Sequence, residues 1–298
     1  MQIHDVTIED TFAEAFDMKV TRLILTAADR SWVDDAAAAM TGFGTSVIAC
    51  GIEIAVEQEL APADTPDGRP GVSILAFAVS SKELEKQIPR RAGQCVLTCP
   101  TTALFSGYQA EKQIALGKHL RFYGDGYQLS KLFAGRRFWR VPVMDGEFIC
   151  EDVVGRGDGV GGGNFLLIGE SLESVLASCR AAAEAIRPLA GVITPFAGGA
   201  TRSGSKVGSK YKNLVASTNE AFCPTLRGLV PSDLSDREHV VLEVVIDGLD
   251  AAGVAAAMRV GINAACEACG GRGLLRVTAG NYGGKLGRHH FQLHEVLA

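Results

Sequence analysis

Read along these 298 residues, the order strand, helix, strand, strand, helix, strand occurs twice, and a βαββαβ order is the ferredoxin-like arrangement. A glycine cluster at 155–163 opens the second occurrence, and a length near 300 suits two lobes because single cores stop growing around 250 to 300 residues. The sequence therefore predicts an α+β protein of two ferredoxin-like (βαββαβ) lobes related by internal duplication. Residues 1–150 form an N-terminal lobe with extra hairpins, and residues 151–298 a C-terminal lobe carrying a basic Gly/Ser/Lys loop.

In the first half, RLILTA (22–27) reads as a strand, 32–40 as an amphipathic helix, 45–54 and 71–79 as strands, and 82–91 as a helix. Short β-like pieces follow at 120–123, 138–143 and 147–153, separated by the turn signals Gly124-Asp125-Gly126 and Asp145-Gly146. The second half reads more cleanly: strand 164–169, an Ala-rich helix 172–187, strands 191–196 and 239–246, helix 250–266, strand 274–279 and a further strand 291–296. Residues 197–238 stand outside this order. A connection of that length in a compact domain marks either function or a misread element.

Composition removes whole classes. With 47% hydrophobic and 21% charged residues the chain is neither disordered, collagenous nor a coiled coil. A net charge of -5 offers no global field for nucleic acid or an anionic membrane, so an anionic ligand needs a local patch. The stretch 92–110 lacks charge but holds too many polar residues to span a bilayer, and the acidic start lacks the basic residues of a targeting signal. The expected location is cytoplasmic. Eight cysteines scattered through apolar segments read as reduced thiols, and zinc would require Cys95 and Cys99 to meet Cys266 and Cys269 in space.

Two nucleotide motifs fail on context. Gly157, Gly159 and Gly162 satisfy G-x-G-x-x-G, yet NFLLIG after them reads as a strand and not a helix; 199–204 begins like a P-loop, yet Lys206 comes one place late. The six histidines form no Ser/His/Asp or Cys/His set, which leaves covalent catalysis without support. Residues 185–219 are more informative: they hold five cations and no carboxylate, with Arg202, Lys206 and Lys210 among Ser203, Gly204, Ser205, Gly208 and Ser209. That is either a solvated basic loop or an anion site.

Glu243 interrupts VVLEVVI, a run whose β-branched character argues for a strand covered on both faces. A carboxylate there is ion-paired, protonated, or placed to meet a ligand. Asn164-Phe165 and Asn281-Tyr282 repeat a Gly-Asn-aromatic signature. With the last strand antiparallel to the first and the third strand read as its parallel neighbour, Asn164, Asn281 and Glu243 are expected to cluster. The alternative is that both asparagines sit at positive φ in turns.

Taken together, IEDTFAEAF (8–16), TGFGTSVI (41–48), TPDGRPGV (65–72), FYGDGYQ (122–128), GGGNF (161–165), RSGSKVGSK (202–210), ASTNEAFCPT (216–225), AMRVGI (257–262) and AGNYGGKLG (279–287) resemble the formylmethanofuran:tetrahydromethanopterin formyltransferases along the whole chain. The resemblance implies transfer of a formyl group between the amine of methanofuran and N5 of tetrahydromethanopterin. Both act as coenzyme substrates, with no metal, no nucleotide and no covalent enzyme intermediate. It also implies a homo-oligomer built as a dimer of dimers with the site near a subunit interface. The mild charge and the cysteines suit a bacterial methylotroph-type member, whose relatives work with formylmethanofuran hydrolase subunits. Glu243 matches the family's glutamate near the pterin, as the proton-transfer group or as an anchor for the pterin's N3-H and 2-amino donors. Asn164, Asn219, Asn281 and Tyr282 are the candidate oxyanion or pterin contacts, and Arg202, Ser205, Lys206, Ser209 and Lys210 the candidates for the coenzymes' carboxylates. Alternatives are a non-catalytic scaffold or a pterin-binding component of a formylmethanofuran-processing complex. The 35 glycines, against about 21 at average usage, concentrate at 155–163, 191–208 and 270–287, where backbone is expected to approach ligand or partner closely.

Overall fold

The computed structural model describes residues 1–298, the side chain of Ser205 excepted. Its contacts divide into two units, Met18–Asp158 and Met1–Asp17 with Gly159–Ala298. The elements that matter here are β1 (Phe12–Thr26), α1 (Arg30–Thr41), β2 (Glu53–Leu60), β3 (Gly71–Ala78), α2 (Ser81–Arg91) and β4 (Ala103–Ser106). They continue with β5 (Gly157–Gly169), α3 (Leu172–Ile186), β6 (Val192–Ile193), β7 (Ser205–Val207), β8 (Ala216–Thr218), β9 (Val240–Gly248), α4 (Ala251–Cys269), β10 (Leu274–Thr278) and β11 (His289–Gln292). No helix among the described residues is long and apolar enough to cross a membrane.

In the unit Met18–Asp158 the strands lie in the order β4-β1-β3-β2, each neighbour antiparallel. Helices α1 and α2 are started by Asp29 and Ser80, whose side chains accept from the N–H groups of Trp32 and Glu83. Their apolar residues, Val33, Met40, Leu84 and Ile88 among them, pack on Leu23, Leu25 and Ile74. Beyond β4 the hairpin strands Gly146–Glu151, Arg136–Val143 and Leu129–Phe133 extend the sheet.

The other unit repeats the pairing as β10-β5-β9-β6, again antiparallel throughout. The third strand is thus the antiparallel neighbour of the first, which corrects the parallel pairing expected from sequence. In a βαββαβ chain each helical crossover returns to a strand parallel to the one it left, and the link from second to third strand reverses direction, so first and third must run oppositely. Ser171 and Asp250 cap α3 and α4, and the helices pack Val175, Cys179, Val254, Met258 and Ile262 on Phe165, Leu167, Val244, Ile246 and Val277. At the start of β5, Gly162 adopts φ +88 in a bulge between Val160 and Gly163, and its N–H reaches Asp247 Oδ1 at 3.0 Å.

Several elements differ from the sequence expectation for local reasons. Strand β1 begins ten residues before Arg22, because Glu14, Asp17 and Lys19 mask its apolar alternation. Within 45–54, Ser46 caps a helical turn, Val47–Cys50, which Gly51 ends at φ +74; the strand starts only at Glu53. Residues 120–123 lie in helical turns, and 291–296 splits between β11 and the helix Leu293–Leu297. Where a G-x-G-x-x-G phosphate loop would need a helix, residues 157–169 form a strand.

Candidate active site

Alternation along β9 sends Leu242, Val244 and Ile246 into the core shared with the helices, so Glu243 faces the other side of the sheet. There it stands across Leu166 of β5, whose other neighbour is Thr278 of β10. The long connection between β6 and β9 runs over this helix-free face. Thr201 pairs with Glu243 as an isolated bridge, each residue's N–H donating to the other's carbonyl at 2.8 Å. The chain then turns through Arg202, Ser203 and Gly204 into the β7–β8 hairpin and returns through Asn219, Phe222 and Cys223.

These residues enclose a cleft of about 30 Å³ beside Glu243, room for one or two waters. Asn219 and Phe222 also line the adjacent, far larger cavity of about 490 Å³, with Glu9, Thr11, Asp233, Arg276, Thr278, Gly280 and Asn281. Bulk can enter only the second. The Glu243 carboxylate has no hydrogen-bond or ion-pair partner among the described residues, which removes the structural ion pair as its explanation. Burial without compensation pushes it up to about 7. Burial first, then the charges of Glu243 and Glu14, raises the Tyr282 phenol, so that it remains a proton donor.

Of the expected cluster, Asn164 bonds Gly280, the residue before Asn281, while Glu243 stands two residues along β5, opposite Leu166. Asn164 is 6% exposed; its Oδ1 accepts from Gly280 N–H at 2.6 Å, and its Nδ2 donates to the carbonyls of Gly162 and Gly280 at 3.0 and 3.2 Å. Asn281 Nδ2 donates to Phe12 O at 3.2 Å, and its Oδ1 accepts from Gly283 N–H at 3.1 Å. Neither takes a positive φ. Both side-chain amides are therefore engaged in holding backbone, whereas the Asn219 amide has no partner among the described residues.

The basic loop is less uniform than its composition. Arg202 lines the cleft and is exposed, but Lys206 is ion-paired with Glu220, whose carboxyl that contact lowers. Ser209 Oγ accepts from Tyr211 N–H at 3.0 Å in the turn beyond β7, and Lys210 is exposed next to it; neither lines the two cavities. The side chain of Ser205 lies outside the described residues.

Two features escape a reading of the sequence. Arg276 gathers Glu9, both oxygens of Glu238 (2.7 and 2.9 Å) and the carbonyl of Asp233 (2.8 Å), pinning the return of the long connection to β10. Glu14, 1% exposed, accepts four backbone N–H groups from the segment after Asn281. The glycines of that segment thus approach their own protein: a side chain on Gly287 would collide with the Ala15 carbonyl. The signal for Glu14 is the one that marks Glu243, an acid amid apolar strand residues, but the sequence pattern starts its strand only at Arg22.

A sequence-family model described as formylmethanofuran-tetrahydromethanopterin formyltransferase matches residues 1–143, and one for the proximal lobe of the same enzymes matches residues 146–296. A formylmethanofuran--tetrahydromethanopterin formyltransferase of Rhodopirellula baltica is 62% identical, the alignment covering all of this chain and 93% of the relative. One component of the formyltransferase/hydrolase complex of Methylorubrum extorquens is 50% identical over 99% of this chain and 97% of its own. Among solved structures, the formyltransferase/hydrolase complex of Methylorubrum extorquens with methylofuran matches with a TM-score of 0.97 at 49% identity, over 100% and 99% of the two chains. The Methanosarcina barkeri formyltransferase matches with a TM-score of 0.93 at 45% identity, over 99% and 100%. With both halves matched by family models and relatives this similar end to end, the chain belongs to the formylmethanofuran:tetrahydromethanopterin formyltransferase family.

Proposed function

We propose that this chain transfers a formyl group reversibly between methanofuran and N5 of tetrahydromethanopterin within a ternary complex. Family membership supports the reaction. The observation that carries the mechanism is Glu243: an unpartnered carboxyl, lifted to about 7 by burial, beside a cavity large enough for a coenzyme. N5 attacks the formyl carbon of formylmethanofuran, a tetrahedral adduct forms with the charge on its oxygen, and the bond from carbon to the furan amine breaks. N5 loses one proton and the departing amine gains one. A group near neutrality serves both halves, accepting as carboxylate and donating as acid, so Glu243 is the shuttle.

The remaining work is placement. Orienting two large coenzymes removes roughly 7–11 kcal/mol of barrier, and one well-aimed donor to the oxyanion contributes about 3 kcal/mol. Asn219, with its free amide, and Tyr282, with its protonated phenol, are the donors suited to this; Asn164 and Asn281 hold the backbone beside them. Arg202 and Lys210 take carboxylates of the coenzymes, with Lys206 and Ser209 shaping the hairpin.

The finer architecture belongs to the same reading: two ferredoxin-like lobes of duplicated origin, supported by the identical strand order of the two units. The chain works in the cytoplasm as a dimer of dimers, needing neither metal nor nucleotide. Exposed Leu129, Leu132, Phe133 and Met144 support contact with other subunits. The naming of one relative as part of a formyltransferase/hydrolase complex supports hydrolase partners. The test is direct: purified chain, formylmethanofuran and tetrahydromethanopterin are mixed, and formyl-pterin formation is followed by absorbance. Turnover is expected; a folded oligomer without turnover would make the scaffold reading the better one.

A further inference from the structure

We propose that Glu14 is a positioning residue for this formyl transfer: it holds the 281–287 loop, and with it Tyr282, in place behind the cavity wall at Asn281, while touching neither coenzyme. The proposal rests on the functional reading above. Its ground is convergence. Oε2 of Glu14 accepts from the N–H groups of Tyr282 and Gly284 at 2.7 and 2.8 Å, and Oε1 from those of Leu286 and Gly287, both at 2.6 Å. Four donors from six consecutive residues fill the four acceptor sites of one carboxylate.

The loop is built to curl this way. Gly283 and Gly284 take φ +73 and +69, which side chains resist, and Gly287 lies against Ala15 where a side chain has no room. Neighbours complete the clasp: Glu14 N–H donates to Gly280 O at 3.1 Å, Asn281 Nδ2 to Phe12 O, and the Tyr282 ring tilts onto Phe16 with centroids 6.0 Å apart. Burial raises the Glu14 carboxyl, but the four amides outweigh it and hold it at about 2, so the clasp is charged at any working pH. Four of the five amides of the GGKLG segment are already engaged, three by Glu14 and that of Gly283 by Asn281, so they are not free to form an anion nest. Its first residue, Asn281, lines the larger cavity, and Tyr282 follows directly.

The experiment is a double-mutant cycle in the full chain, read as kcat and both KM values. Glu14→Gln turns an NH₂ group toward two N–H donors and should release the loop. The expected result is a kcat about 10- to 100-fold lower with both KM values within about twofold, since a misplacement near 1 Å can cost about 100-fold. Tyr282→Phe should lower kcat about tenfold or more. If Glu14 acts through Tyr282, the double variant loses no more than the worse single variant. Losses that multiply, or a folded Glu14→Gln with wild-type kcat, would overturn the proposal. Should Glu14→Gln not fold, Glu14→Asp keeps the charge on a shorter stem and should show a smaller kcat loss; wild-type kcat in that variant would overturn it too. A wild-type chain without turnover overturns the functional reading and the proposal together, a result distinct from any of these.

Discussion

The two units share a sheet order yet treat the same row of the sheet differently. In the unit Met18–Asp158, Ile24 of the first strand lies between Ser73 of the third and Phe105 of the fourth, and Ser73 and Phe105 are buried. In the other unit Leu166 lies between Glu243 and Thr278. The connection from second to third strand spans only 61–70 in the former but 194–239 in the latter. The acids of the two sheets differ at one position. Glu57 is gripped by Arg22 through two bonds of 2.5 and 2.7 Å, Glu151 by Arg136 and, in the other unit, Glu238 by Arg276, whereas the half-buried Glu243 has no such partner among the described residues. One frame is therefore plain core in one unit, and in the other, under a long cover, it leaves one acid without a partner among the described residues.

The strongest way to break this comparison is Glu243→Gln. It should lower turnover about 100-fold or more, the range of general acid–base catalysis, with unchanged circular dichroism and oligomeric state. Near-normal turnover would return Glu243 to the role of pterin anchor. The converse variant, Glu57→Gln, leaves Arg22 half-served in its own unit. It should cost about 3 kcal/mol in denaturant unfolding while the turnover of folded protein stays within about twofold.

Titration separates the acids further. The Glu243 carboxyl, at about 7 when folded against 4.5 as its ordinary value, is stabilised in its protonated form. Its contribution is full below about 4.5 and is lost as pH rises through 7. Glu14, at about 2, contributes above 4.5 and loses that as pH falls toward 2. Wild-type Tm minus that of Glu243→Gln should thus fall by on the order of a few degrees between pH 4.5 and 8. A constant difference would mean that Glu243 is not desolvated. The smallest effect is expected at Ser73, whose buried hydroxyl has no partner among the described residues: Ser73→Ala should change stability by less than about 0.5 kcal/mol and leave turnover alone.

Much of the frame was legible because periodicity is local. The caps Asp29, Ser171 and Asp250 precede amphipathic runs, and the helices at 172–186 and 251–269 and the strands at 240–248 and 274–278 lie close to their patterns, whereas the first strand starts at Gly157, seven residues early, and the second holds only Val192–Ile193. Glu243 was legible for the opposite reason, as the residue that violates its own strand. Lys206 differs in kind from its sequence expectation: a segment free of acids reads as a free basic patch until Glu220, just past its end, folds back onto it. Likewise the 270–287 glycines suggested ligand approach, and only the path of β1 showed that they close on Glu14 and Ala15.

By itself the sequence determined the repeated element order, the apolar faces, the long connection and the out-of-place carboxylate, since each is read from residues a few positions apart. Only the tertiary structure decided the engagement of Asn164 and Asn281 with backbone and the clasp of Glu14 on amides some 270 positions away. Such contacts depend on which strands lie side by side, and pairing between distant segments leaves no periodic trace in either one.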